Sequence, residues 1–356
     1  MALVHADNFS IYGTDTSLLL DGIYAEEGNL SLSTDPDGIS GGRVVNVFNN
    51  STNGEFVALR YALPAGDTTK VGIPFRVWLT SLPTIDAVGP HIAQWRTSGN
   101  SALADLRVTS NGRLSMIITG GSTYTTTTPV VTANGWYHIE AVYTHGSGAL
   151  CSFEVRVEGI TVLTQTDVAA TNADVGQLRI TGQNSGTTIG PRYYIKDYVV
   201  WDDNGTYNTD FLGSVLVTNL TPTSDVSLNW TPSSGTTGYE ILDNIPPVDT
   251  TYIYAEDAPL PSPYVATLSD LPSEVTSVKG LITFVRAAKS DGGDGSLQVG
   301  LISDPDGTPA TVLGTDRPIT VAQTYWRDVF EEDPATTAPW IPAAVNEVEL
   351  QIDRTT

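Results

Sequence analysis

Apolar and polar residues alternate one by one along much of this chain, and that period of two constrains the fold more than any other feature. In Phe75-Arg76-Val77-Trp78-Leu79-Thr80, the residues Phe75, Val77 and Leu79 share one face while Arg76 and Thr80 take the other. Leu114, Met116 and Ile118 repeat the pattern, as do Cys151, Phe153, Val155 and Val157 against Ser152, Glu154, Arg156 and Glu158. Such runs are half-buried strands. Turn signals separate them at Asn53-Gly54, Ala65-Gly66-Asp67, Asn111-Gly112, Asn134-Gly135, Gly146-Ser147-Gly148 and Glu158-Gly159. Of these, Asn111-Gly112 best fits a two-residue type I′ hairpin, because alternating apolar residues flank it on both sides. Helical signal is confined to Ile341-Pro342-Ala343-Ala344-Val345-Asn346, with proline in the first turn, before a last strand through Val348, Leu350 and Ile352. The fold class is all-β.

At 356 residues, the chain exceeds what one core usually serves. Its character changes after Phe211-Leu212-Gly213, and a Thr/Pro/Ser-rich connection follows at about 219–238. The expected division is a larger sandwich over 1–213 and a smaller β-sandwich over 214–356. In the second, Val278 to Ala288, Leu297 to Ile302 and Glu347 to Asp353 are the strand candidates, and Val215-Leu216-Val217 reads as strand-like material at the junction.

Asp and Glu number 40 against 17 Lys and Arg, a formal charge of −23. That excess argues against nucleic acid and anionic lipid surfaces as partners, since both need clustered cations. Cys151 is the single cysteine, so no intrachain disulfide or thiolate metal cluster can form. The start, Met1-Ala2-Leu3-Val4-His5, lacks the basic and apolar regions of a signal peptide, and no apolar run is long enough for a membrane helix. The expectation is a product made in the cytoplasm and not inserted in a membrane.

Several segments, in order, resemble the concanavalin A-like (laminin-G-like) jelly-roll of tailed-bacteriophage virion proteins. They are Gly41-Gly42-Arg43-Val44, Ile73 to Trp78, Ser110 to Leu114, Asn134 to Glu140, Phe153 to Gly159 and Tyr194 to Val200. The stretch Trp201 to Gly213 is similar to the segment that ends this domain in phage structural proteins. Asp249 to Ile253, Asp270-Leu271-Pro272 and Asn346 to Glu349 resemble the module that follows it there. The resemblance implies a jelly-roll sandwich plus a second β-sandwich. It also implies a structural protein on the virion surface, in a tail, fibre, spike or head decoration, assembled with other virion proteins and with copies of itself as a symmetric homo-oligomer. Where that family often carries an Asp pair, this chain has Lys196-Asp197.

The same jelly-roll carries glycoside hydrolases, which place alternating carboxylates on one strand face. Here Glu154 and Glu158 flank Arg156, so the central carboxylate is missing. His5, His91, His138 and His145 show no metal-ligand spacing, and no nucleophile elbow or phosphate loop is present. The expectation is therefore a protein without enzymatic activity. A glycan-binding module for host surface polysaccharide is the alternative, with Trp95, Tyr124, Trp201 and Tyr207 as stacking candidates. A depolymerase acting through Glu154 is the third reading. Acidic turns at Asp35-Pro36-Asp37-Gly38 and Asp202-Asp203-Asn204-Gly205 nominate Asp35, Asp202 and Asp203 as calcium ligands, although the first is also a plain type I turn.

Overall fold

The computed structural model describes residues 2–12, 24–27, 30–37, 43–47, 57–63, 68–84, 91–182, 192–256 and 262–356. The turn signals at Asn53-Gly54 and Ala65-Gly66-Asp67, and the Gly41-Gly42 of the first resembling stretch, lie outside them. The chain forms two compact units, Met1–Val217 and Thr218–Thr356. Among the described residues no helix is long and apolar enough to cross a membrane.

In the first unit the strands are β1 (Leu3–Asp7), β2 (Ala25–Glu27), β3 (Leu30–Thr34), β4 (Arg43–Val47), β5 (Val57–Ala62), β6 (Lys70–Leu79), β7 (His91–Arg96) and β8 (Ala102–Val108). They continue as β9 (Leu114–Ile118), β10 (Thr123–Thr125), β11 (Trp136–His145), β12 (Leu150–Val157), β13 (Ile160–Ala169), β14 (Gln177–Gly182), β15 (Tyr193–Lys196) and β16 (Tyr198–Asp202). One sheet has the order β13-β12-β11-β6-β15-β4-β3, with β16 joining β6 to β1; the other runs β10-β9-β8-β7-β14-β5-β2. The many non-neighbouring connections are those of a jelly-roll.

The alternation read from the sequence sets the two inner faces. Phe75, Val77 and Leu79 from β6 and Ile139, Ala141 and Tyr143 from β11 share one core with Trp95, Leu106, Met116, Leu178 and Ile180 of the other sheet. Each large side chain buried this way contributes about 1.5–3 kcal/mol before entropy is set against it. Trp95 Nε1 donates to Val71 O at 3.3 Å, which links the two sheets through the core.

The type I′ hairpin falls elsewhere than expected. Glu158 and Gly159 both have positive φ, 50° and 78°, and join β12 directly to β13. At the β8–β9 hairpin only Gly112 has positive φ, 75°, and the loop is longer, with Gly112 N–H donating to Thr109 O and Thr109 N–H to Arg113 O. A Cβ at Gly112 would meet Val131 O at 2.1 Å, so this glycine answers a close approach as well as a turn.

After β16 the chain has no strand through Val215-Leu216-Val217. Two buried carboxylates hold this segment instead: Glu140 accepts the N–H of Leu212 (2.6 Å) and Gly213 (3.1 Å), and Asp197 that of Val217 (3.1 Å). Those bonds keep residues beyond Gly213 in the first unit, which runs to Val217.

The second unit is built on a sheet ordered Pro222–Ser227, Tyr264–Leu268, Glu349–Arg354, Ser296–Ser303 and Ala310–Leu313, with Arg317–Pro318 also pairing Ser296–Ser303. Leu281–Ala287 pairs with Thr324–Phe330, and Trp326 and Val285 pack with Tyr264, Val299 and Ile352 of the larger sheet. The one-turn helix Pro342–Asn346 has proline in its first turn and Ile341 extended at its start, as the sequence indicates.

Candidate functional site

The seven-stranded sheet of the first unit has a core face and an outward face, and its pleat assigns residues to each. With Leu106 and Val108 turned inward, β8 presents Asp105 and Arg107; with Leu178 and Ile180 inward, β14 presents Gln177, Arg179 and Thr181. Arg60 on β5 lies opposite Arg179 in register. In β7, Trp95 points inward and Gln94 and Arg96 outward. His91 stands three residues before Gln94 and would fall on the opposite face of a regular strand. A register irregularity between His91 and Ala93 re-aims it, so His91 sits opposite both Arg107 of β8 and Thr181 of β14, on the outward side.

These residues surround a cleft of about 290 Å³ lined by His91, Gln94, Arg96, Ala102, Asp105, Arg179 and Thr181. Gln94 Nε2 donates to His91 Nδ1 at 2.6 Å, and Arg96 Nη1 donates to Gln94 Oε1 at 3.4 Å. Arg96 is fixed further by Asn100, whose Oδ1 accepts from its Nε at 2.9 Å. With Nδ1 accepting, neutral His91 carries its proton on Nε2. Among the described residues that nitrogen has no partner, although His91 is only 4% exposed. Thr181 Oγ1, Gln177 Oε1 and Asp105 Oδ1 are likewise buried without a hydrogen-bond partner among the described residues, the last lying 3.6 Å from His91 Nδ1.

Burial pulls the pKa of Arg96, Arg107 and Arg179 below its ordinary value, and the charge of Asp105 works against that at Arg96 and Arg107. Partly desolvated guanidinium groups gain more from an added anion than solvated ones, because less water has to be displaced to reach them. Each charge-assisted hydrogen bond is worth about 1.5–3 kcal/mol, and a bidentate guanidinium–carboxylate pair also fixes orientation. The cleft thus gathers two guanidinium groups, a side-chain amide, a carboxylate and an imidazole on one sheet face, where Gln177 adds a second amide.

The stacking candidates from the sequence do not meet here. Trp95 and Trp201 are fully buried and cannot face a sugar: Trp95 lies between the sheets, 6.3 Å from the Tyr143 ring, and Trp201 lies over Gly72 with Lys70 Nζ 5.1 Å from its ring. Tyr124 turns toward Phe153, ring centroids 5.4 Å apart, because its register partner Met116 points into the core. Tyr207 is half-buried after Asp202 and lines neither cleft of the sheet. The partly exposed tryptophans of this unit are Trp78 and Trp136, in edge contact at 5.8 Å on the outer face of the other sheet.

The calcium candidates are also apart. Asp35 is buried against Lys196 Nζ (2.5 Å) and Trp136 Nε1 (3.1 Å); Asp202 accepts from Asn204 N–H (2.8 Å), and Asp203 from Thr68 Oγ1 (3.2 Å). Lys196 is opposite Arg76 on β6 and Asp202 opposite Val71, a separation of about 17 Å along the strand. Among the described residues no three His, Cys, Asp or Glu side chains gather as a metal site. Glu154 bonds Arg156 at 2.7 Å beneath the Phe211 ring, and Glu158 accepts the backbone N–H of His138 at 2.7 Å, so both have structural partners.

No family model matches the chain. No curated protein matches it in sequence either. Among solved structures it is similar to a sialidase, at 14% identity and a TM-score of 0.42, over 56% of this chain and 18% of the sialidase. An endo-β-1,4-glucuronan lyase from the fungus Trichoderma reesei is similar at 14% identity and a TM-score of 0.41, over 56% of this chain and 95% of the lyase. A carbohydrate esterase from the Shiga toxin-encoding bacteriophage phi24B gives 15% identity and 0.41, over 56% and 97%. The chain thus spans under a fifth of the sialidase and nearly all of the other two.

Most structures in this set are glycan-degrading enzymes by name, which corrects the expectation of a protein without enzymatic activity. The sequence did not show this cleft because His91, Gln94, Asp105 and Arg179 come from three strands and meet only through register.

Proposed function

We propose that the first unit binds and processes an acidic polysaccharide on the outward face of its seven-stranded sheet. The observation that carries this reading is the concentration of guanidinium groups, with a buried His91 Nε2 that has no partner among the described residues, on one sheet face of a chain whose formal charge is −23. Arginine is the side chain whose planar fork matches a carboxylate. A uronate carboxylate held by Arg96 and Arg179 has its charge neutralised, which acidifies the carbon-bound hydrogen beside it. Elimination there breaks that C–H bond and the C–O bond to the leaving sugar and forms a C=C bond. Asp105 is the carboxylate placed to take the proton, and His91 Nε2–H the donor placed to protonate the leaving oxygen. As part of the same proposal, the protein is displayed on a phage particle, where this face meets host surface polysaccharide; the order of the sequence segments supports that placement.

The test titrates the purified chain with polyuronates and with a neutral glucan at low salt. Ultraviolet absorbance reads unsaturated uronate, and a reducing-end assay reads other cleavage. Polyuronate binds and the glucan does not; Arg179→Ala weakens binding at least tenfold, about 1.4 kcal/mol. His91→Ala abolishes turnover. Failure of every acidic glycan to bind, or wild-type affinity in Arg179→Ala, overturns the reading. Labelling of purified particles with a specific antibody checks the placement.

A further inference from the structure

Beside the first cleft, the same sheet face carries a second, of about 370 Å³, lined by Arg107, Thr109, Asn111, Arg113, Ser115 and residues of β10. Arg107 stands between the two: its register partners are His91 on β7 and Ser115 on β9. Among the described residues the Nε atoms of Arg107 and Arg113 are buried without a hydrogen-bond partner, as His91 Nε2 is in the first cleft. Thr123 and Thr125 of β10 are exposed on this side, and Ser115 Oγ and Thr125 Oγ1 lie 3.0 Å apart, so hydroxyl groups floor the cleft between the guanidinium groups. Among the described residues no carboxylate lines it.

The two clefts follow one another across the strands, from β14 and β7 through β8 to β9 and β10. Three strand spacings separate Arg179 from the strand of Ser115, roughly 14 Å, more than one sugar ring spans. Resting on the acidic-glycan reading, we infer that the second cleft is a further anion subsite, that the ligand chain crosses the strands, and that it presents acidic sugars to both clefts. The protein then selects polymers by length: a monouronate fills one cleft, whereas an oligomer reaching both gains a second guanidinium-bound carboxylate without a second loss of translational freedom.

The test measures affinity for free glucuronate and for oligoglucuronates of increasing length by calorimetry. In the wild type affinity rises at least tenfold once the oligomer reaches both clefts, then levels off. In Arg113→Ala the ratio of long-oligomer to monouronate affinity falls toward one, and Arg113→Lys, which keeps the charge without the fork, recovers part of it. Circular dichroism melting confirms that both variants are folded. Equal affinity for short and long ligands in the wild type, or an unchanged ratio in Arg113→Ala, overturns the second subsite while leaving the first cleft standing. No binding of any uronate overturns the acidic-glycan reading itself and this inference with it.

Discussion

At Gly72 a missing side chain decides where a large one goes. A Cβ built there would stand 2.0 Å from Trp201 Cε2, and β16 brings Trp201 directly opposite Gly72 on β6. Gly72→Ala therefore forces the indole or the strand to move, with an expected loss of about 1–3 kcal/mol in urea unfolding. A midpoint equal to the wild type would show that Trp201 can be displaced freely. The same pair explains why sequence reading placed Trp201 wrongly. Tyr198-Val199-Val200-Trp201 is apolar at every position and buried throughout, so its pattern does not distinguish an inner face from a covered outer one. Trp95 failed for a different reason, because a tryptophan between Gln94 and Arg96 reads equally well as core or as sugar platform until the facing sheet is known. His91 was hidden by a single extra residue in β7, whose alternation otherwise sets it against Gln94.

Among the elements, the segment after β16 depends most on individual polar groups. Glu140 is 1% exposed and accepts from two backbone N–H groups, so Glu140→Ala takes that acceptor from both, at about 1–3 kcal/mol for the buried Leu212 donor and less for the half-buried Gly213. Faster hydrogen exchange at the Leu212 and Gly213 amides is the expected signature; unchanged exchange there would show that the carboxylate does not hold the segment. Burial raises the pKa of Glu140 above the usual carboxylate range, against the bonds from Leu212 and Gly213. A raised folded value means that its contribution is fully present at acidic pH and is lost as pH rises through that value. His138, its neighbour on the same face of β11, works in the other direction. Burial pulls its pKa down to about 4, opposed by Glu158 and assisted by Arg76. Since the unfolded imidazole titrates near 6.5, its contribution is present above that pH and lost as pH falls toward 4. His138→Phe removes that proton uptake. Thermal melting from neutral to acidic pH should show a smaller fall for the variant than for the wild type, and parallel curves would exclude His138 as the titrating group.

For the molecule as a whole, the all-β class and the strand periods were legible because they depend on neighbours one and two residues apart. The proposed binding face was not, because its cleft residues run from His91 to Thr181 and only the jelly-roll order of β14, β7, β8, β9 and β10 sets them side by side. The charge acquires a meaning from that order. Among the described residues four arginines and one aspartate line the two clefts, so the remainder of a chain of charge −23 is more negative still. A polyanion is repelled by such a surface in general and attracted locally at the sheet, which favours one docking position over non-specific adsorption. Both effects pass through solvent and weaken as the Debye length shrinks from roughly 10 Å at 0.1 M salt to 3 Å at 1 M. Polyuronate affinity should therefore fall steeply with added salt, by at least about tenfold over that range, because ions released from the ligand make the dependence scale with the number of guanidinium contacts. Arg113→Ala, with one contact fewer, gives a shallower slope of log affinity against log salt. A wild-type affinity that does not change with salt would mean that the arginines are not what the ligand binds.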